Sequence, residues 1–264
     1  MGSGVATRPV AVGAGLATRP VSSNGAGMVR VVAEQPSLAQ RAAANVNHPL
    51  TRALLVLTFT TGLVDGVSYL GLGHVFCANM TGNIVLLGFG LAGGYHLPVL
   101  APIVSLLAFL VGAAGGGVLA KRCASVHHVH TGIALGIEVV LLAAATVVAA
   151  LHTPHTGHFV GYVVIAVMAL AMGVRNATVR KLAVPDLTTT VLTMTLTGLA
   201  ADSQLAGGDG RGSARRLLAV ATMLVGALVG ALELKTSIVL PLVTATVLAA
   251  VTAVVYVPAA RRDA

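Results

Sequence analysis

VFCANMTGNIVLLGFGLAG, residues 75–93, begins and ends as an apolar run and is broken between by Asn79-Met80-Thr81-Gly82-Asn83. Unbroken, it would be one more membrane span of about 20 residues. Broken, it reads as a segment that enters the bilayer, turns, and leaves on the same side, with Ile84 to Leu87 starting a half-helix after the good N-cap residues Thr81 and Asn83. Which reading holds decides the whole topology.

The surrounding sequence supports a membrane setting. Hydrophobic residues make up 56% of the 264, charged residues only 9%, and the mean hydropathy is +0.91. A soluble domain carries about 25% charged residues, so soluble enzymes, disulfide scaffolds and nucleic-acid modules are excluded. Continuous apolar runs, not alternating ones, argue against a β-barrel. They fall at roughly 52–72, 75–93, 98–120, 132–151, 158–178, 187–202, 215–234 and 237–257. Run 187–202 is the second weak one: it follows Pro185-Asp186 and is crowded with Thr188, Thr189, Thr190, Thr193, Thr195 and Thr197.

With all eight runs crossing, either orientation leaves several basic clusters outside, against the positive-inside rule. With 75–93 and 187–202 re-entrant, Lys121/Arg122, Arg180/Lys181, Arg211/Arg215/Arg216 and Arg261/Arg262 fall on one side with the N-terminal tail, and only Lys235 on the other. We therefore expect an all-α membrane protein of six crossings plus two re-entrant half-helices, with eight full transmembrane helices in a parallel 4+4 repeat as the alternative. Both termini are expected in the cytoplasm, the cell inner membrane being the site.

The runs repeat. Gly112 and Gly226 sit in matching Leu-Val-Gly-Ala-x-x-Gly stretches 114 residues apart, Gly62 and Gly173 are 111 apart, and Thr81 and Thr193 are 112 apart. One duplicated transmembrane domain, 49–258, follows, with one repeat at about 52–151 and the other at about 158–257. Three crossings per repeat make the halves inverted. Residues 1–48, a basic stretch with the echo Ala6-Thr7-Arg8-Pro9-Val10 and Ala17-Thr18-Arg19-Pro20-Val21, are expected to be disordered; Met28 is an alternative start, and the acid-poor composition also resembles a transit peptide.

Asp65 is the most informative residue. A carboxylate deep in a span costs about 2.5–3.5 kcal/mol on insertion scales, so it must face protein or a wet cavity. Thr58, Thr61, Gly62, Ser68 and Tyr69 share its helical face. Its repeat mate, Asn176, adjoins Arg175, and an Asp65–Arg175 ion pair across the repeats would lower both desolvation costs. Glu138, early in the fourth run, would snorkel, pair with Lys121 or Arg122, or join a polar pathway. The candidate solute or ion site is Asp65, Asn79, Thr81, Asn83, Arg175, Asn176 and Thr193. Asp65 would be the ionisable coupling group, Thr81, Asn83 and Thr193 polar ligands. The bland alternatives are a structural anchor for Asp65 and helix glue for the threonines.

Other features read plainly. Gly112/Gly116 and Gly226/Gly230 let helices approach closely and offer faces for a homo-oligomer. Cys77 and Cys123 are small core residues, and Tyr95 and Tyr256 the candidates for an interfacial belt. His127, His128 and His130, like His152, His155 and His158, read as solvated loops. No metal, cofactor, nucleic-acid or catalytic motif is present, so the chain is not expected to be an enzyme.

The Gly-x-x-Asp of the first span, the Val75-Phe76 to Asn83 block, Met172-Gly173-Val174-Arg175-Asn176-Ala177, the Thr-rich 188–197 stretch and the two Gly-Ala-x-x-Gly helices resemble the YoaK family of bacterial membrane proteins over about residues 50–257. This chain departs in carrying Arg175 where the family pattern more often has Gln. The resemblance implies an integral inner-membrane protein of uncharacterised function, often described as a permease. The expected function is movement of a small solute or ion through a polar site between the repeats. A non-transporting membrane scaffold is the second reading, and a membrane enzyme acting on a lipid or lipid-linked substrate the third.

Overall fold

The computed structural model describes residues 16–20, 30–34, 41–42, 45, 47–93, 97–123, 127–183 and 192–262. Among them are eight helices: α1 (Pro49–Gly71), α2 (Met80–Leu91), α3 (Leu100–Arg122), α4 (His127–Leu151), α5 (Phe159–Leu182), α6 (Leu192–Ala201), α7 (Ser213–Leu234) and α8 (Val239–Arg262). Six are long and apolar enough to cross a bilayer. At 1.5 Å per residue α2 rises about 18 Å and α6 about 15 Å, short of a hydrocarbon core of about 30 Å.

Where composition predicted a disordered tail, β1 (Leu16–Pro20) and β2 (Arg30–Glu34) pair antiparallel, Leu16 opposite Glu34 and Pro20 opposite Arg30. The second half of the sequence echo lies on β1; the Val31-Val32 pair supplies β-branched residues to β2. The chain enters α1 through His48, whose Nδ1 accepts the Leu50 N–H at 3.2 Å, with Pro49 at the first helical position.

Helix directions settle how the two weak runs behave. On α4 and α8, Gly132 faces Val257 while Thr146 Oγ1 meets Thr246 Oγ1 at 3.1 Å, so the two helices run antiparallel. So do α1 and α5: Arg175 reaches the Leu57 carbonyl, and at the other end Cys77, bonded to Asp65, meets the Ile165 carbonyl. Eight crossings would make both pairs parallel. Six crossings and two re-entrant half-helices make them antiparallel, which is the inverted arrangement.

Contacts recur with the repeat. Gly62 of α1 lies on Met223 and Ala227 of α7, and Gly173 of α5 lies on Phe109 and Ala113 of α3. Gly226 lies on Phe59, and Gly112 on Leu170. Each partner is displaced by 111 residues on the first helix of a repeat (59 and 170, 62 and 173) or 114 on the third (109 and 223, 113 and 227). The first helix of each repeat thus packs on the third helix of the other. α1 and α5 form the centre, each more than half buried along its apolar length, against a third or less for the other spans. Leu63, Val64, Val67, Met168 and Met172 are the core between them, and Leu107, Val111, Leu224 and Leu228 are exposed on the lipid side.

Three expectations are corrected here. The Gly112/Gly116 and Gly226/Gly230 faces are occupied by α5 and α1 of the same chain, where only hydrogen side chains admit the neighbouring backbone, so they offer no face to a second copy. Tyr256 is buried, not interfacial, and His130 is a buried residue of α4 rather than a loop residue. Tyr95 lies outside the described residues.

The same directions place Arg52, Lys121, Arg122, Arg180, Lys181, Arg215 and Arg216 at one end of the bundle and Lys235 at the other. Impermeant thiol labelling tests this: Gly93→Cys and Thr236→Cys should label from one side of sealed vesicles, and Cys123 and Ser203→Cys from the other. Eight crossings would separate Gly93 from Thr236.

Candidate functional site

After α1, Gly73 (φ 107°) and His74 (φ 56°) turn the chain back into the bundle. Tyr69 steadies the turn: its ring stacks on Phe76 at 4.9 Å and meets His74 edge-on at 5.2 Å, and its carbonyl accepts the His74 N–H at 3.0 Å. Residues 75–79 are then non-helical backbone inside a membrane protein, where every N–H and C=O needs a partner. Asp65 supplies one. Its Oδ1 accepts the amides of Cys77 (3.1 Å) and Ala78 (2.8 Å). Asn83 supplies another: Oδ1 accepts the Phe76 N–H at 2.9 Å, and Nδ2 donates to the Phe76 carbonyl at 2.6 Å and to Ser105 Oγ at 3.1 Å. Ser105, on α3, donates to the same carbonyl at 2.7 Å. Asn79 caps α2 by accepting the Gly82 N–H at 3.3 Å. Asp65, Asn79 and Asn83 therefore come together, and their common task is to hold the broken strand of backbone. An amide stripped of its acceptor here would cost about 1–3 kcal/mol.

The second cluster lies one turn back along α1. Arg175 of α5 is a fully buried cation. Its Nη1 donates to the Leu57 carbonyl and to Thr61 Oγ1, both at 2.9 Å, and its Nη2 pairs with Glu138 Oε1 of α4. Its Nε–H has no partner among the described residues. The expected Asp65–Arg175 pair is not formed. The antiparallel crossing of α1 and α5 brings the guanidinium to Leu57 and Thr61, where α4 offers Glu138, while the Asp65 carboxylate turns to the Cys77 and Ala78 amides. Nor does Glu138 pair with Lys121 or Arg122, which are exposed at the end of α3.

Beside the pair is a small, partly open cavity of about 20 Å³, room for a single water. Leu50, Leu54, Leu57, Leu135 and Val179 give it an apolar wall, and Thr131, Thr178, Tyr256, Glu138 and Arg175 border it through carbon, their polar atoms turned from the space. It lies where the first and last helices of both repeats meet.

Three predicted residues stand apart. Thr81 is exposed on α2. Asn176 is half-buried and donates to the Met172 carbonyl of its own helix at 2.8 Å. Thr193 is exposed, and its carbonyl accepts the Thr197 hydroxyl at 2.9 Å. Thr188, Thr189 and Thr190 lie outside the described residues. The second half-helix is held differently from the first: Arg216 of α7 donates to the Gly198 carbonyl of α6 at 2.7 Å and pairs with Asp202 at 2.8 Å. A cation at that helix end also suits its dipole. Sequence reasoning missed Ser105, although it is the lone hydroxyl of α3, and undervalued Glu138, the lone charged residue of α4.

A family model described as "Protein of unknown function (DUF1275)" matches residues 53–255. Over 150 residues, 56% of the chain, the sequence is 32% identical to the UPF0700 transmembrane protein YoaK of Bacillus subtilis strain 168. That match spans 65% of the relative, just under two thirds of its length. No solved structure matches the chain.

Proposed function

The chain belongs to the DUF1275 family, multi-pass membrane proteins of uncharacterised function, and from its buried ion pair we propose that it is a carrier for a small solute or ion. The carrying observation is Arg175–Glu138, both side chains 1% exposed, set beside a cavity at the meeting of two inverted repeats. Two charges taken out of water cost several kcal/mol each, and well-packed apolar residues would often serve stability as well or better. A pair kept there beside a hole is a working group. Inverted repeats are also the geometry of alternating access, and this cavity lies between them toward the end where α1 and α4 begin and α5 and α8 end. By the positive-inside rule both termini are cytoplasmic, in the inner membrane. The protein works by binding and release, not as an enzyme.

The scaffold reading has its own support in Asp65, Asn79, Asn83 and Ser105, which all act on backbone. Cys77 separates the two without knowledge of the substrate. It is fully buried, and its Sγ rests on the Ile165 carbonyl across the repeat interface. In a Cys123→Ser background, a carrier that opens this interface lets an impermeant maleimide label Cys77 in native vesicles, from the side that labels Gly93→Cys. A rigid scaffold leaves Cys77 unlabelled until it is denatured.

A further inference from the structure

Arg175 presents two edges. Nη1 is spent on α1, on Leu57 and Thr61. The other edge, Nε with Nη2, is the fork that binds a carboxylate through two parallel bonds. Glu138 holds only the Nη2 corner, and Nε, completely buried, has no partner among the described residues. The cavity is bordered by this residue and otherwise chiefly by leucines, with Val179, Ala53, Ala134, Thr131, Thr178 and Tyr256 beside Glu138. Resting on the carrier reading above, we propose that this fork takes the carboxylate of a short monocarboxylate, whose apolar body lies against Leu54, Leu57 and Val179, and that Glu138 carries the proton that moves with it.

The charges balance. At rest Arg175 and Glu138 sum to zero. A proton from the side to which the interface is open goes onto a Glu138 oxygen and releases its hold on Nη2. The incoming carboxylate takes Nε and Nη2, so the sum is again zero. After the bundle reopens on the other side the carboxylate leaves, Glu138 gives its proton to water and returns to Arg175. A doubly charged anion would leave a negative charge uncompensated among leucines, and a cation would face Arg175. The other groups able to titrate nearby are Tyr256 on α8, His130 two turns earlier on α4, and Asp65 one turn beyond Thr61 on α1, the last bound to backbone amides. α5 brings Arg175 itself.

The test uses the full chain in proteoliposomes with radiolabelled lactate, and inorganic phosphate as comparison. One proton per lactate sets limiting accumulation at about tenfold per pH unit of inward acid gradient, the 1.36 kcal/mol of one unit. Glu138→Gln mimics the protonated state and leaves an unmatched Arg175, so lactate should raise its thermal stability more than that of the wild type, while gradient-driven uptake is lost and lactate counterflow remains. Arg175→Lys keeps the charge without the fork and should raise the KM for lactate at least tenfold. Arg175-dependent uptake of phosphate in place of lactate overturns the substrate class and leaves the carrier standing, as does Cys77 labelling without lactate uptake. Lactate uptake indifferent to the gradient, or to Glu138→Gln, overturns the role of Glu138. A silent Cys77 together with no flux overturns the carrier reading itself.

Discussion

Arg175→Ala is expected to cost the protein its fold, and Glu138→Ala nearly as much. Each leaves the other charge buried among apolar side chains with no counter-ion, a loss of about 3–5 kcal/mol. Arg175→Ala also removes the donors to the Leu57 carbonyl and to Thr61, so α1 and α5 lose their polar tie. Both variants should give little monodisperse protein in detergent, with melting well below the wild type. The double variant Arg175→Met with Glu138→Leu removes both charges and keeps most of the volume. It should recover to near wild-type stability, because replacing a buried pair by apolar residues is often neutral or stabilising. It should carry nothing. Recovered fold with lost flux would set Arg175 and Glu138 apart from residues that merely hold the bundle. An Arg175→Ala variant as stable as the wild type would show that the charge is not buried as the structure has it.

The spans were legible because bilayer thickness imposes a length on apolar runs, and the break at Asn79–Asn83 was legible because Asn, Thr and Gly interrupt such a run with capping chemistry. The basic residues carried the choice of six crossings, since topology leaves its mark in loop charge. The ion pair was not legible. Glu138 and Arg175 stand 37 residues apart on neighbouring helices, and only the helix crossing decides which carboxylate a guanidinium meets. The partners of Asp65 were hidden for a related reason: the sequence displays a costly intramembrane acid, and the amides it accepts are made needy by the very break that the sequence displayed. The repeat suggested that Asn176 would share the role of Asp65. The structure instead uses the neighbouring position, Arg175, whose own mate is the apolar Val64. Side chains diverge between repeats where backbone contacts do not.

Those backbone contacts carry the other large prediction. At Gly62, Gly112, Gly173 and Gly226 an added Cβ would be driven into a carbonyl oxygen of the facing helix, on Met223, Leu170, Phe109 and Phe59 in turn. At Gly62 the Ala227 nitrogen would also lie at 2.9 Å, and at Gly173 the Ala113 nitrogen at 2.7 Å. Backbone cannot rotate out of the way as a side chain can, so the helices must separate along their whole seam. Overpacking commonly costs about 1–3 kcal/mol, and these sites should lie at or above its upper end. Gly115 and Gly117 have nothing within 4 Å of an added Cβ. Alanine there should be neutral or slightly stabilising, since it removes the entropy cost of a helical glycine. Because the four contacts are two copies of one arrangement, Gly62→Ala should match Gly173→Ala in thermal stability, and Gly112→Ala should match Gly226→Ala. Pairing Gly62→Ala with Gly226→Ala should cost less than the sum, as one separation of α1 from α7 relieves both. Pairing Gly62→Ala with Gly112→Ala touches both seams and should come closer to additive. Were Gly173→Ala as harmless as Gly117→Ala, the close approach of α3 and α5 would be wrong, and with it the crossing that brings Arg175 to Glu138.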